Sequence, residues 1–202
     1  MTIIPTVRYT KNMETGNREN IVQHALELFA LHGYESTGIQ EIVDTSGISK
    51  PTLYHYFGNK RGLLDAIIAE NGRKMYEIIE QGCVYNHDLV MNLTVLTRGI
   101  INFALSNQAF YRFYQALSAA APENQGYAAC EPLRTSINTS IEKLFLDASN
   151  DHGNMKGRQV SYSNAFQGMC HTWAMLIINK KIELNDATLT RAVHQFMHGI
   201  FS

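Results

Sequence analysis

The chain has 202 residues, of which 45% are apolar, enough to bury a sizeable core as one domain or as a small domain joined to a larger one. Its formal net charge is −1, so it is not a polycation and any nucleic-acid binding must come from a local basic patch. The longest unbroken apolar run, Trp173 to Ile178, falls far short of the ~20 residues of a membrane span, and residues 1–17 lack the apolar centre of an export signal.

Residues 1–16 mix Pro5 with threonines and asparagines without periodicity, which predicts a flexible arm. A first helix is predicted over 17–32, with Ile21, Ala25, Leu28 and Phe29 on one face and Gly33 as its stop. Thr37, followed three residues later by Gln40, has the form of a capping box and predicts a helix over 38–45. Gly47 ends that helix and Ser49 caps the next, whose first turn tolerates Pro51 because no intrahelical donor is needed there.

At 100° per residue the second short helix turns Leu53 and Phe57 to one side and leaves Pro51 and His55 opposite, flanked by Thr52, Tyr54 and Tyr56. A solvated helix face would normally use Glu, Lys and Gln, so this set fits a groove better than water. Hydroxyls of Thr52, Tyr54 and Tyr56 suit phosphate oxygens, and Lys50 suits base-edge acceptors. Asn59 predicts the cap of a long helix over 60–81 that opens with Lys60 and Arg61 and serves as a rod between a head and the rest. The charges agree with this layout: 49–61 carries Lys50, Lys60 and Arg61 and no acid, while Glu19, Glu27, Glu35, Glu41 and Asp44 lie elsewhere in the head.

This stretch resembles the DNA-binding domain of the tetracycline-repressor-like (TetR) family of bacterial transcription regulators. The likeness rests on Ala25-Leu26-Glu27-Leu28-Phe29, His32-Gly33-Tyr34, Thr37, Ile42, the run Gly47 to Phe57, Lys60 and Leu63-Leu64. It implies base contacts from Lys50, Pro51 and Thr52 and phosphate contacts from Thr37, Tyr54, Tyr56 and Lys60. Val43 departs from the pattern, standing where a small alanine is common, and Pro51 stands where glycine is frequent.

Beyond residue 82 the pattern stays helical, with helices predicted over 87–106, 108–119, 125–148, 159–180 and 186–201 and polar loops at 118–126 and 149–158. The expected fold is all-α: an arm at 1–16, a three-helix helix-turn-helix domain at 17–62, and a helical effector-binding and dimerisation domain at 63–202. A ligand cavity is expected among Phe103, Phe110, Phe113, Tyr114 and Tyr127, together with Phe166, Met169, Cys170 and Trp173 and the polar Asn102, Gln167 and His171. An apolar stripe of Leu189, Val193, Phe196, Met197 and Ile200, with Ala165 and Leu176 on the preceding helix, predicts a homodimer interface; the family resemblance implies a four-helix bundle there.

Three cysteines without close pairing predict reduced thiols in a cytoplasmic protein. His194 and His198 sit one turn apart, but no third metal ligand is placed, and no nucleophile–base arrangement or phosphate-cradling loop marks an enzyme. No cofactor or metal is expected. The function expected is a repressor that binds palindromic operator DNA as a homodimer, without membrane contact, and is released by a small-molecule effector. A ligand-independent nucleoid-associated or division-linked DNA binder, which the family also contains, is the alternative.

Overall fold

The computed structural model describes residues 7–199, with the side chains of 7–15 and of Asn154 left aside. Its described residues form α-helices and no strand: α1 Val7–His32, α2 Ile39–Ser46, α3 Lys50–Phe57, α4 Lys60–Gly82, α5 Leu89–Ser106, α6 Gln108–Ser118, α7 Gln125–Ala148, α8 Gln159–Ile178 and α9 Asp186–His198. A 3₁₀ turn at Gly153–Met155 lies between α7 and α8. The all-helical expectation therefore holds. α1 starts at Val7 rather than at 17, so helix covers ten positions assigned to the arm, a stretch whose polar sequence gave no apolar period to read.

The chain divides into two compact units, one formed by residues 1–70 with 112–130 and the other by 71–111 with 131–202. This differs from the boundary expected at 62, because α4, α6 and α7 each belong partly to both units. α7 also contains Pro132 just beyond its crossing point, where the ring removes one backbone donor from the helix ladder.

In the first unit, α1 buries Ile21, Val22, Ala25, Leu26 and Phe29 and packs on α2, which packs in turn on α3. Phe29 is its hub: its ring meets Tyr34 edge-on at 5.3 Å and stacks on Phe113 of α6 at 5.7 Å. The Tyr34 hydroxyl donates to Gln125 Oε1 at 3.3 Å, and Arg61 donates to the Gln125 carbonyl at 3.2 Å. In the second unit α5 packs on both α8 and α9. Among the described residues α5 is the one helix long and apolar enough to cross a membrane by length and composition, with mean hydropathy 1.4, yet half of it is buried inside the protein. Leu93, Leu96, Ile100 and Ile101 fill the core between its neighbours, which accounts for that composition.

Cys83, Cys130 and Cys170 are buried thiols outside any disulfide. Burial pushes the thiols of Cys83 and Cys170 up to about 12, and a thiol held protonated is not a nucleophile. Iodoacetamide at pH 8 should therefore leave Cys83 and Cys170 unmodified in the native protein and alkylate both in denaturant, a difference read by peptide mass spectrometry; rapid native labelling of Cys170 would contradict this packing.

Candidate nucleic-acid interface and internal cavities

The turn between α2 and α3 is built by local chemistry. Gly47 takes the left-handed conformation, φ 65°, and its N–H closes α2 on the Asp44 carbonyl. Ser49 caps α3 by accepting from the Thr52 N–H at 3.4 Å, and its hydroxyl pairs with that of Thr52 at 2.9 Å. Leu53 and Phe57 are the two buried residues of α3, while Lys50, Pro51, Tyr54 and His55 are exposed and Thr52 and Tyr56 half-buried. The outward face thus holds the residues that the helical period assigned to it.

Asn59 caps α4 by accepting from the Gly62 N–H at 2.9 Å. Gly62 is a residue that sequence reasoning missed: a Cβ there would run into the Phe57 carbonyl oxygen, so only glycine lets α4 start so close to the end of α3. Its signal was available, since glycine inside a helix costs about 1 kcal/mol relative to alanine and needs a packing reason. Arg18, also missed, lies over the Phe57 ring at 5.4 Å and pairs with Glu70.

Two expectations for this region are corrected. Thr37 does not cap α2. Gly38 occupies the N-cap position without a side-chain bond, and Thr37 is buried with its hydroxyl donating to the Gly33 carbonyl at 2.9 Å. Gln40 bonds Asp44 instead of completing a capping box. The Thr37 hydroxyl is thus engaged inside the head. Lys60 is partly held: its ammonium lies over the Tyr34 ring at 4.3 Å and donates to the Glu35 carbonyl at 3.3 Å. Partial burial lowers its pKa from the usual lysine value, with Glu35 opposing that shift.

The expected ligand residues are divided between the two units. Phe113, Tyr114 and Tyr127 belong to the first unit and Phe103, Phe110, Phe166, Met169, Cys170 and Trp173 to the second. Phe103, Phe110, Phe166 and Cys170 are core residues, and Asn102 is exposed. Phe113 lines a cleft of about 450 Å³ in the first unit, beside Tyr34 and Leu117. His171 is half-buried against Tyr111, with a buried Nδ1 that has no hydrogen-bond partner, and burial lowers its pKa. Gln167 donates to Asn138 at 2.9 Å.

A cavity of about 410 Å³ in the second unit lies among Leu89, Leu93, Phe145, His152, Met155 and Tyr162, with Ala165, Phe196 and Met197. None of the expected ligand residues lines it, and three of its walls were expected at the dimer interface. Of that interface set, Leu189 and Val193 are buried inside their own unit, Phe196 packs on Phe145 and Phe166 at 6.1 and 5.4 Å, and Ile200 lies outside the described residues. Ala165, Leu176 and Met197 remain exposed. The stripe was real but mostly covered from within by α5 and α8. The His194 and His198 rings lie 4.6 Å apart and tilted, and no group of three or more metal-ligating side chains occurs among the described residues.

A short helix seated by two apolar residues after a glycine turn, with a cationic and aromatic outer face, defines a helix-turn-helix DNA-binding domain. Residues 21–67 match the family model of bacterial regulatory proteins, tetR family. Over 67 residues it is 31% identical to the HTH-type transcriptional repressor AcnR of Corynebacterium glutamicum, a match covering 33% of this chain and 36% of AcnR. The chain thus matches little more than a third of that relative's length. The whole fold is similar to that of the TetR family transcriptional regulator PfmR from Thermus thermophilus, with a TM-score of 0.71 at 20% identity, covering 92% of this chain and 97% of PfmR. It is similar also to AibR, solved in complex with isovaleryl coenzyme A and operator DNA, with a TM-score of 0.69 at 20% identity over 92% of this chain and all of AibR.

Gly62→Ala should unseat the end of α3 and lower the unfolding midpoint, whereas Gly16→Ala, with open space around it, should not; equal melting of the two proteins would refute the close approach.

Proposed function

We propose that the chain is a transcriptional repressor that binds a palindromic operator as a homodimer through α3 and is released by a small-molecule effector. The observation that carries this reading is the outer face of α3, where Lys50, Pro51, Tyr54 and His55 stand exposed on a helix fixed from behind by Leu53 and Phe57. Lys50, Pro51 and Thr52 lie at its N-terminal end, which a helix-turn-helix presents to base edges, and Tyr54, Tyr56 and Lys60 flank it for phosphates. AcnR is described as a repressor, and AibR was solved with both an acyl coenzyme A and operator DNA, which supports repression and small-molecule binding.

The pairing surface is α8. Ala165, Gly168, Thr172 and Leu176 are exposed at spacings of three and four residues, so one side of the helix offers small side chains and then a leucine to a second copy. α9 adds Met197. Two helices from each protomer make a four-helix bundle, and the dimer sets two copies of α3 about one turn of DNA apart or more.

Operator selection from random DNA, followed by footprinting, tests DNA binding. Lys60→Ala should weaken all sequences alike and reduce the salt slope by about one unit, while Lys50→Ala or Thr52→Ala should change which bases are preferred. Binding that ignores both salt and these substitutions would overturn the reading. Leu176→Arg, on an exposed position, should leave melting unchanged yet yield monomers in sedimentation and abolish operator binding; a wild-type monomer at micromolar concentration would remove the dimer.

A further inference from the structure

We propose that the cavity bounded by α5, α7, α8 and α9 binds a planar aromatic anion, and that this molecule is the effector; the second statement rests on the repressor reading above. Its volume of about 410 Å³ falls within the range of small-molecule sites, roughly 300–1,000 Å³. Three rings face the same hollow: Phe145 lies 5.7 Å from Tyr162 and 6.1 Å from Phe196, both tilted, an arrangement that leaves ring faces and edges for a flat guest. Met155 and Met197 add thioethers that adapt to an irregular outline.

The polar groups are grouped at one side. His152 lines the cavity, and Arg158 reaches the Tyr162 hydroxyl at 3.5 Å. The loop 149–158 that carries them also holds Lys156 and has a single acid, Asp151. That acid is already taken, accepting from the Tyr85 hydroxyl at 2.9 Å and pairing with His87 Nδ1 at 2.7 Å. Apolar walls with the Arg158 guanidinium beside Tyr162 suit a guest whose rings enter while its carboxylate or sulfonate meets that cation. His152, which lines the hollow, is exposed, so the hollow is reachable from solvent.

The probe is anilinonaphthalene sulfonate, with neutral phenylnaphthylamine as the uncharged control, titrated into the full chain while its emission is read. Saturable binding of one sulfonate per chain is expected. Leu89→Trp, which fills the hollow from α5, should weaken both probes about tenfold or more, and Arg158→Ala should weaken the sulfonate severalfold and spare the amine. In the unsubstituted protein, the isotope-labelled methyl resonance of Met155 should shift with the sulfonate, a measurement that decides the matter if Leu89→Trp does not fold. An unmoved methyl resonance at saturation, or undiminished binding by a folded Leu89→Trp, would overturn the site; equal affinity for both probes, with no effect of Arg158→Ala, would overturn the anion. Binding to the selected operator without any probe is measured separately, so failure of the repressor reading and failure of this site give different results.

Discussion

An eight-residue helix does not persist in water on its own, so the exposed surface of α3 exists only because the head holds it. Leu53 and Phe57 supply the apolar anchor, Ser49 and the Gly58 N–H close its two ends, and Gly62 allows α4 to begin against its last turn. Losing the buried Leu53 side chain would cost about 2–5 kcal/mol, a large part of what holds a small unit together. The polar face can then be chosen for recognition because stability is delivered from behind.

The same division of labour recurs in the second unit. α5 gives its apolar length to the core, so α8 and α9 can each turn one side outward. Phe196 shows how close these roles lie: it touches Phe145 and Phe166 and also borders the cavity, while its neighbour Met197 is open to solvent. Core packing, the wall of a cavity and an exposed apolar side chain adjoin one another on one helix.

The helix-turn-helix was legible because its signals are local. Gly47, Ser49, Pro51 and Asn59 each act within a turn of chain, and the buried pair of α3 follows from period alone. The misreadings have equally physical causes. Thr37 and Gly38 compete for one cap, and a threonine whose hydroxyl turns inward to Gly33 looks identical in sequence to one that caps. The first turns of α1 lack an apolar face, so periodicity could not find them. Phe166 and Tyr162 are both aromatic residues of α8, yet one is sealed in the core and the other borders a cavity; only the long-range packing of α7 and α9 separates them. The stripe on α9 likewise signals burial without saying whether the cover comes from this chain or from another copy.

The first unit is assembled from two separated stretches of chain, residues 1–70 and 112–130. Phe113 covers Phe29, and Gln125 receives hydrogen bonds from both Tyr34 and Arg61, so part of the ring cluster at its hub is encoded far downstream of the reader helices. Recombination that exchanged heads and bodies at a single crossover near residue 70 would strand these aromatics. Viable shuffling requires a second, matched exchange at 112–130, which makes this protein a poor source of a freely portable head and ties the descent of its two parts together.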